Sequence, residues 1–166
     1  MVPKLKEFIE DHIDLIEEKR WSAVYSYAKA EIPFQVGNLS YNLIKAGVNP
    51  LDDINRVPSE MFCDAQELRE IELPENILAI MRQAFKNCYQ LTKLVLPLAI
   101  ESIDETAFEG CYELKEVIYK GTAQELLNKV NITEKMFWDT EIGTITCSDA
   151  DIMVRFDDYV QIKERT

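Results

Sequence analysis

The stretches SEMFCDAQELREIELPENI (residues 59–77), RQAFKNCYQLTKLVLPLAI (82–100) and ETAFEGCYELKEVIYKGTA (105–123) align at a constant offset of 23 residues. A period between about 20 and 50 residues marks a solenoid, whose units are too small to bury their own apolar faces and do so by stacking. Each stretch carries a short strand. Its inward residues are Leu68, Ile71 and Leu73 in the first unit, Leu91, Leu94 and Leu96 in the second, and Leu114, Val117 and Tyr119 in the third. Successive strands are expected to pair in parallel, about 4.8 Å apart. An aromatic column (Phe62, Phe85, Phe108) and a smaller one (Met61, Ala84, Ala107) form the opposite wall, with Ile77, Ile80, Ile100 and Ile103 in the connecting arcs.

Segments outside the repeats read as closing pieces. Leu5, Phe8, Ile9, Ile13 and Ile16 recur at helical spacing across residues 4–18. A second helix is expected from Trp21 to Ala30, before Pro33. A third uses Leu39, Leu43 and Ile44 and stops at Gly47. Asn49, Pro50 and Asp52 look like the cap and first turn of a fourth. Beyond the repeats, Thr122 and Glu125 form a capping box ahead of Leu126, Leu127 and Val130. The runs Thr144 to Cys147 and Ile152 to Phe156 then read as a terminal hairpin that offers one strand to the repeat sheet. The expected fold class is thus an α/β solenoid of about three repeats. Residues 1–58 form a helical N-terminal cap, 59–121 the repeats, and 122–166 a C-terminal cap of helix and β-hairpin.

At 166 residues and 47% hydrophobic, the chain suits one globule. It has no apolar run long enough to span a bilayer and no signal-peptide core, so a cytoplasmic protein is expected. Cys63, Cys88, Cys111 and Cys147 lack metal-site spacing and are expected as free thiols, with Cys88 and Cys111 stacked on adjacent coils. Half of the net charge of −12 sits on residues 59–121, which hold 12 acidic and 6 basic groups. Such a field repels nucleic acid and anionic membranes and favours basic protein partners.

The core A-F-x-x-C-x-x-L-x-x-[LV], carried by Ala84-Phe85-Lys86-Asn87-Cys88 and Ala107-Phe108-Glu109-Gly110-Cys111, resembles the BspA-type leucine-rich repeats of bacterial and phage proteins. The closing segment Tyr119-Lys120-Gly121-Thr122, with Trp138 and Gly143-Thr144-Ile145-Thr146-Cys147, is similar to the end of such arrays. The first unit departs from the pattern, with Met61 for alanine and Ala65 for cysteine. The resemblance implies a recognition surface without a catalytic constellation, and function must then be read from the outward residues.

Those residues fall in columns. Glu70, Lys93 and Glu116 alternate in sign and read as cross-strand pairs on a solvated sheet. Glu72, Val95 and Ile118 place two apolar residues side by side on an exposed face, with Leu98 nearby, so a partner or a terminal segment is expected there. Glu101, Glu105 and Glu109, with Asp104 and Glu113, line the arcs as a solvated edge or as a row of carboxylates imitating a phosphate backbone. The preferred function is non-catalytic binding of another protein with a basic surface, by a monomer or weak homo-oligomer. Its sharpest form is a phage or mobile-element inhibitor of a basic, nucleic-acid-handling host defence enzyme, of anti-CRISPR or anti-restriction type. The competing readings are an enzyme with a carboxylate site between helical cap and repeats, and a structural oligomer built through Val95 and Ile118. His12, the only histidine, has no nucleophile signature near it. The acidic pairs Asp52-Asp53, Asp149 with Asp151, and Asp157-Asp158 fit turns and caps better than a cation, and neither cofactor nor metal is expected.

Overall fold

The computed structural model describes residues 2–154 and 161–165. Its helices are α1 (Pro3–Asp11), α2 (Ile13–Glu17), α3 (Trp21–Glu31), α4 (Val36–Lys45) and α5 (Ala123–Lys129). Its strands are β1 (Arg56–Val57), β2 (Glu70–Glu72), β3 (Ala79–Ile80), β4 (Lys93–Leu96), β5 (Ser102–Ile103), β6 (Glu116–Tyr119), β7 (Thr144–Thr146), β8 (Ala150–Met153) and β9 (Gln161–Glu164).

Sequence periodicity becomes strand register. In the larger sheet, ordered β2-β4-β6-β7-β8-β9, Glu70 lies opposite Lys93 and Lys93 opposite Glu116, all in parallel. Inward residues Ile71, Leu94 and Val117 therefore stack, and each is buried. The arcs carry a second parallel sheet, β1-β3-β5, pairing Val57 with Ile80 and Ile80 with Ile103. These strands are two residues long, too short for side-chain alternation to announce them.

Between the two sheets the phenylalanines form a stacked column. Phe62 and Phe85 are 5.1 Å apart and 6° from parallel, and Phe85 and Phe108 are 5.8 Å apart. Phe137 adds a fourth ring 5.6 Å from Phe108. The step from Phe108 to Phe137 is 29 residues, because α5 is inserted there, which takes the fourth member off the 23-residue offset. Each coil also turns through a left-handed residue at a matching position: Asp64 (φ 60), Asn87 (φ 58) and Gly110 (φ 76). Asparagine, aspartate and glycine tolerate that conformation better than other residues do. The Cys88 thiol donates to the Phe62 carbonyl at 3.1 Å and the Cys111 thiol to the Phe85 carbonyl at 3.0 Å, so the coils are tied by thiol hydrogen bonds. All four cysteines are free.

The helices before the repeats have their own core of Leu5, Phe8, Ile16, Trp21, Val24, Leu39 and Leu43, and Tyr25 and Ile54 pack against both this cluster and that of the repeats. The expected single helix over 4–18 is broken at His12, which separates α1 from α2. The segment after Asn49 is a 3-10 turn, Pro50–Asp53, with the Asn49 side chain accepting from the Leu51 amide. Helix α4 meets the first coil very closely. A Cβ on Gly37 would lie 2.8 Å from both the Ala65 nitrogen and the Cys63 carbonyl carbon, and closer still to the Cys63 oxygen. Beside it, the buried Ser40 hydroxyl donates to the Met61 carbonyl at 2.6 Å and meets the Tyr25 hydroxyl at 2.7 Å.

After the third unit, the capping box forms as expected, with the Thr122 side chain accepting from the Glu125 amide and Glu125 accepting from that of Thr122. β7 continues the parallel ladder on β6, and β8 returns antiparallel to it. The hairpin thus extends the repeat sheet, although its second strand starts at Ala150, two residues before the expected Ile152, and ends at Met153, and β9, unanticipated, adds a further antiparallel strand. Phe156 and Asp157-Asp158 lie outside the described residues.

Candidate functional site

Parallel register fixes the outward face of β2, β4 and β6. Val95 and Ile118 are direct cross-strand partners, with Glu72 on one side of them and Thr146 on the other. Both apolar side chains are half-buried, and Leu98 beyond them is 48% exposed. Two sets of ion pairs frame them. Lys93 and Glu116 meet at 3.7 Å, the cross-strand pair expected from alternating sign, while Glu70 stands exposed opposite Lys93. Lys120, at the end of β6, reaches Glu72 and Glu75 at 2.7 Å each. These partners belong to the coil of β2, so the contact straddles the intervening coil of β4. Hydrogen bonding to Glu72 and then Glu75 raises the Lys120 ammonium above its ordinary range, and the Lys120 hydrogen bond lowers the Glu75 carboxyl.

The acidic arcs are less bare than their composition implies. Glu105 is paired with Lys135 at 3.1 Å and Glu109 with Lys86 at 3.4 Å. The Gln83 amide also donates to Glu109 and, with Lys86, holds its carboxyl below the usual range. Glu113 meets Lys115 at 3.6 Å, and Asp104 accepts from the Thr106 amide and hydroxyl. Among the described residues Glu101 alone of these five has no such partner. Lys86 sits one repeat before Glu109, so this pairing was readable from the offset; Lys135 comes from outside the repeats and was not.

His12 hydrogen-bonds Glu31 at 3.1 Å and stacks on Tyr27 at 4.8 Å. Between α3 and β1 lies an open groove of about 990 Å³, whose carboxylates are Asp52 and Asp53. Asp53 accepts from the Trp21 indole at 3.0 Å. Among the described residues, no group of three or more histidine, cysteine, aspartate or glutamate side chains is placed to hold a metal ion, and no helix is long and apolar enough to cross a membrane. Composition gave no hint of the stacked, exposed pair Tyr89 and Tyr112, 5.9 Å apart, although the two residues share a repeat position.

The model of a family described as BspA type leucine rich repeat region matches residues 40–156 in 6 copies. The matched span extends past the three units on both sides, into α4 and through β7 and β8. A solved structure of a leucine rich cell surface protein from Faecalibacterium prausnitzii A2-165 is 30% identical over 46% of this chain, with a TM-score of 0.45. The match spans 20% of that protein's chain. Among curated proteins none matches.

Proposed function

The chain belongs to the BspA-type leucine-rich repeat family, and on that premise we propose that it is a non-catalytic protein-interaction module that contacts its partner through the outward face of β2, β4 and β6. The observation carrying the reading is the pair Val95 and Ile118, half-buried cross-strand partners framed by Lys93–Glu116 on one side and Lys120 with Glu72 and Glu75 on the other. An apolar centre within a polar rim is the arrangement from which interfaces draw their energy. Glu70, exposed beside this centre, and Glu101 on the arcs add negative charge that no cation among the described residues answers, which favours a basic partner.

The finer form of the proposal is inhibition of a basic, nucleic-acid-handling defence enzyme by a phage or mobile-element protein. The net charge of −12 supports it. Lysines answer Glu105 and Glu109, so the proposal puts the main contact on the sheet face and gives the arcs a steering role. A cytosolic setting is part of the same proposal, supported by four free thiols.

The test is capture of a partner by wild-type protein, repeated with Val95→Asp plus Ile118→Asp and with Glu101→Arg plus Glu105→Arg plus Glu109→Arg. The proposal expects the sheet-face pair to abolish capture and the arc triple to slow association. A partner held equally by the sheet-face pair refutes it. Light scattering on the same variants tests the oligomer reading: loss of a dimer in the Val95→Asp protein would show that this face binds a second copy.

A further inference from the structure

β1 is the terminal strand of the β1-β3-β5 sheet. The carbonyls of Asn55 and Val57 accept from the Leu78 and Met81 amides of the β3 segment, at 2.8 and 3.0 Å. Backbone groups alternate sides along a strand, so the amide and carbonyl of Arg56 point away from β3. Arg56 itself lines the groove of about 990 Å³, with residues of α3 as its other wall. A terminal strand whose residues line an open groove is the geometry of strand addition.

The groove's charge specifies the occupant. Lys29 and Arg56 line it, and among the described residues neither has an ion-pair partner, in a chain whose net charge is −12. Of the two lining acids, Asp53 is engaged by the Trp21 indole and by Lys19 at 3.7 Å, which leaves Asp52 alone opposing two free cations. We propose that this groove takes an extended, acidic peptide segment of a partner protein, which pairs its backbone with Arg56 as a fourth strand of the β1-β3-β5 sheet and sets its carboxylates against Lys29 and Arg56. This site is separate from the outward face of β4 and β6 and stands whether or not that face binds anything.

The probe is a fluorescein-labelled, end-blocked heptapeptide alternating valine and glutamate, titrated by anisotropy. Saturable binding is expected, weakened roughly tenfold or more when lysine replaces glutamate and when the peptide amides are N-methylated. Lys29→Glu and Arg56→Glu, with unchanged far-ultraviolet circular dichroism, are each expected to weaken it about fivefold or more, whereas Val95→Asp leaves it unchanged. Exchange of the Arg56 amide with deuterium should be slowed by the peptide. Absence of saturable binding, equal affinity for the lysine or N-methylated peptide, or unaltered exchange at Arg56 would overturn the proposal.

Discussion

Replacing Gly37 by alanine inverts the usual consequence of removing a glycine from a helix. In an exposed helix interior, Gly→Ala gains about 1 kcal/mol, since glycine gives up more backbone freedom on folding. In α4, however, the added methyl would lie 2.8 Å from backbone atoms of Cys63 and Ala65. Those neighbours are main chain and cannot rotate aside, so α4 must move off the first coil by more than half an ångström to reach ordinary contact distance. Overpacking of this kind costs about 1–3 kcal/mol. The same displacement stretches the Ser40 bond to the Met61 carbonyl, 2.6 Å long and buried, whose loss adds about 1 kcal/mol. The opposing terms leave a net destabilisation of about 1–3 kcal/mol. Urea unfolding followed by tryptophan fluorescence reads it directly, through a lowered midpoint at unchanged slope. Gly143→Ala is the control: among the described residues beyond its chain neighbours no atom lies within 4 Å of its added methyl, and a near-neutral effect is expected. A Gly37→Ala protein as stable as wild type, or more so, would refute the close seating of α4 on the repeats.

The aromatic column sets the next expectations. Phe85→Ala should cost about 3–5 kcal/mol, and Phe137→Ala should also fall well outside the range of surface substitutions; a neutral Phe137→Ala would remove it from the column. Gly110→Ala, at φ 76 and against the Asn87 side chain, should lose about 1–3 kcal/mol by denaturant titration. Burial, then the neighbouring Asp64 carboxylate, pushes the Cys63 thiol from 9.0 up to about 12, and burial followed by Asp149 pushes Cys147 to about 11. Alkylation at pH 8 should therefore be slow in native protein and fast in urea. The stability effect has a definite sign: the folded chain keeps these protons where the unfolded chain releases them, so stability is intact below pH 9 and is lost as pH climbs from there towards the folded-state values. A denaturation midpoint that rose between pH 9 and 11 would contradict this.

What the sequence disclosed follows from where side chains alternate strictly. Leu94, Leu96, Val117 and Tyr119 face one way and Lys93, Val95, Glu116 and Ile118 the other, and a constant offset transmits that alternation from coil to coil. The sheet face and its register were therefore readable. Val57, Ile80 and Ile103 lie in strands of two residues, where no period exists to be read. Phe137 was hidden by the insertion of α5, although its neighbour Asp139 follows the Asn87 and Gly110 positions and accepts from the Gly110 amide at 3.0 Å. The groove between α3 and β1 joins residues about 30 positions apart by tertiary packing, and no local pattern in either segment announces it. The break at His12 likewise has no signature in the sequence, because apolar spacing continues through it.

Lys120 holds Glu72 and Glu75 from two coils away. This makes it a ruler as well as a clasp. Insertion of one more repeat between those ends would carry them about 4.8 Å further apart, beyond the length of the side chain that now joins them. Natural variation in the number of units should thus fall outside the stretch from Glu72 to Lys120, and a lengthened array that keeps both ends should trade this tie for water.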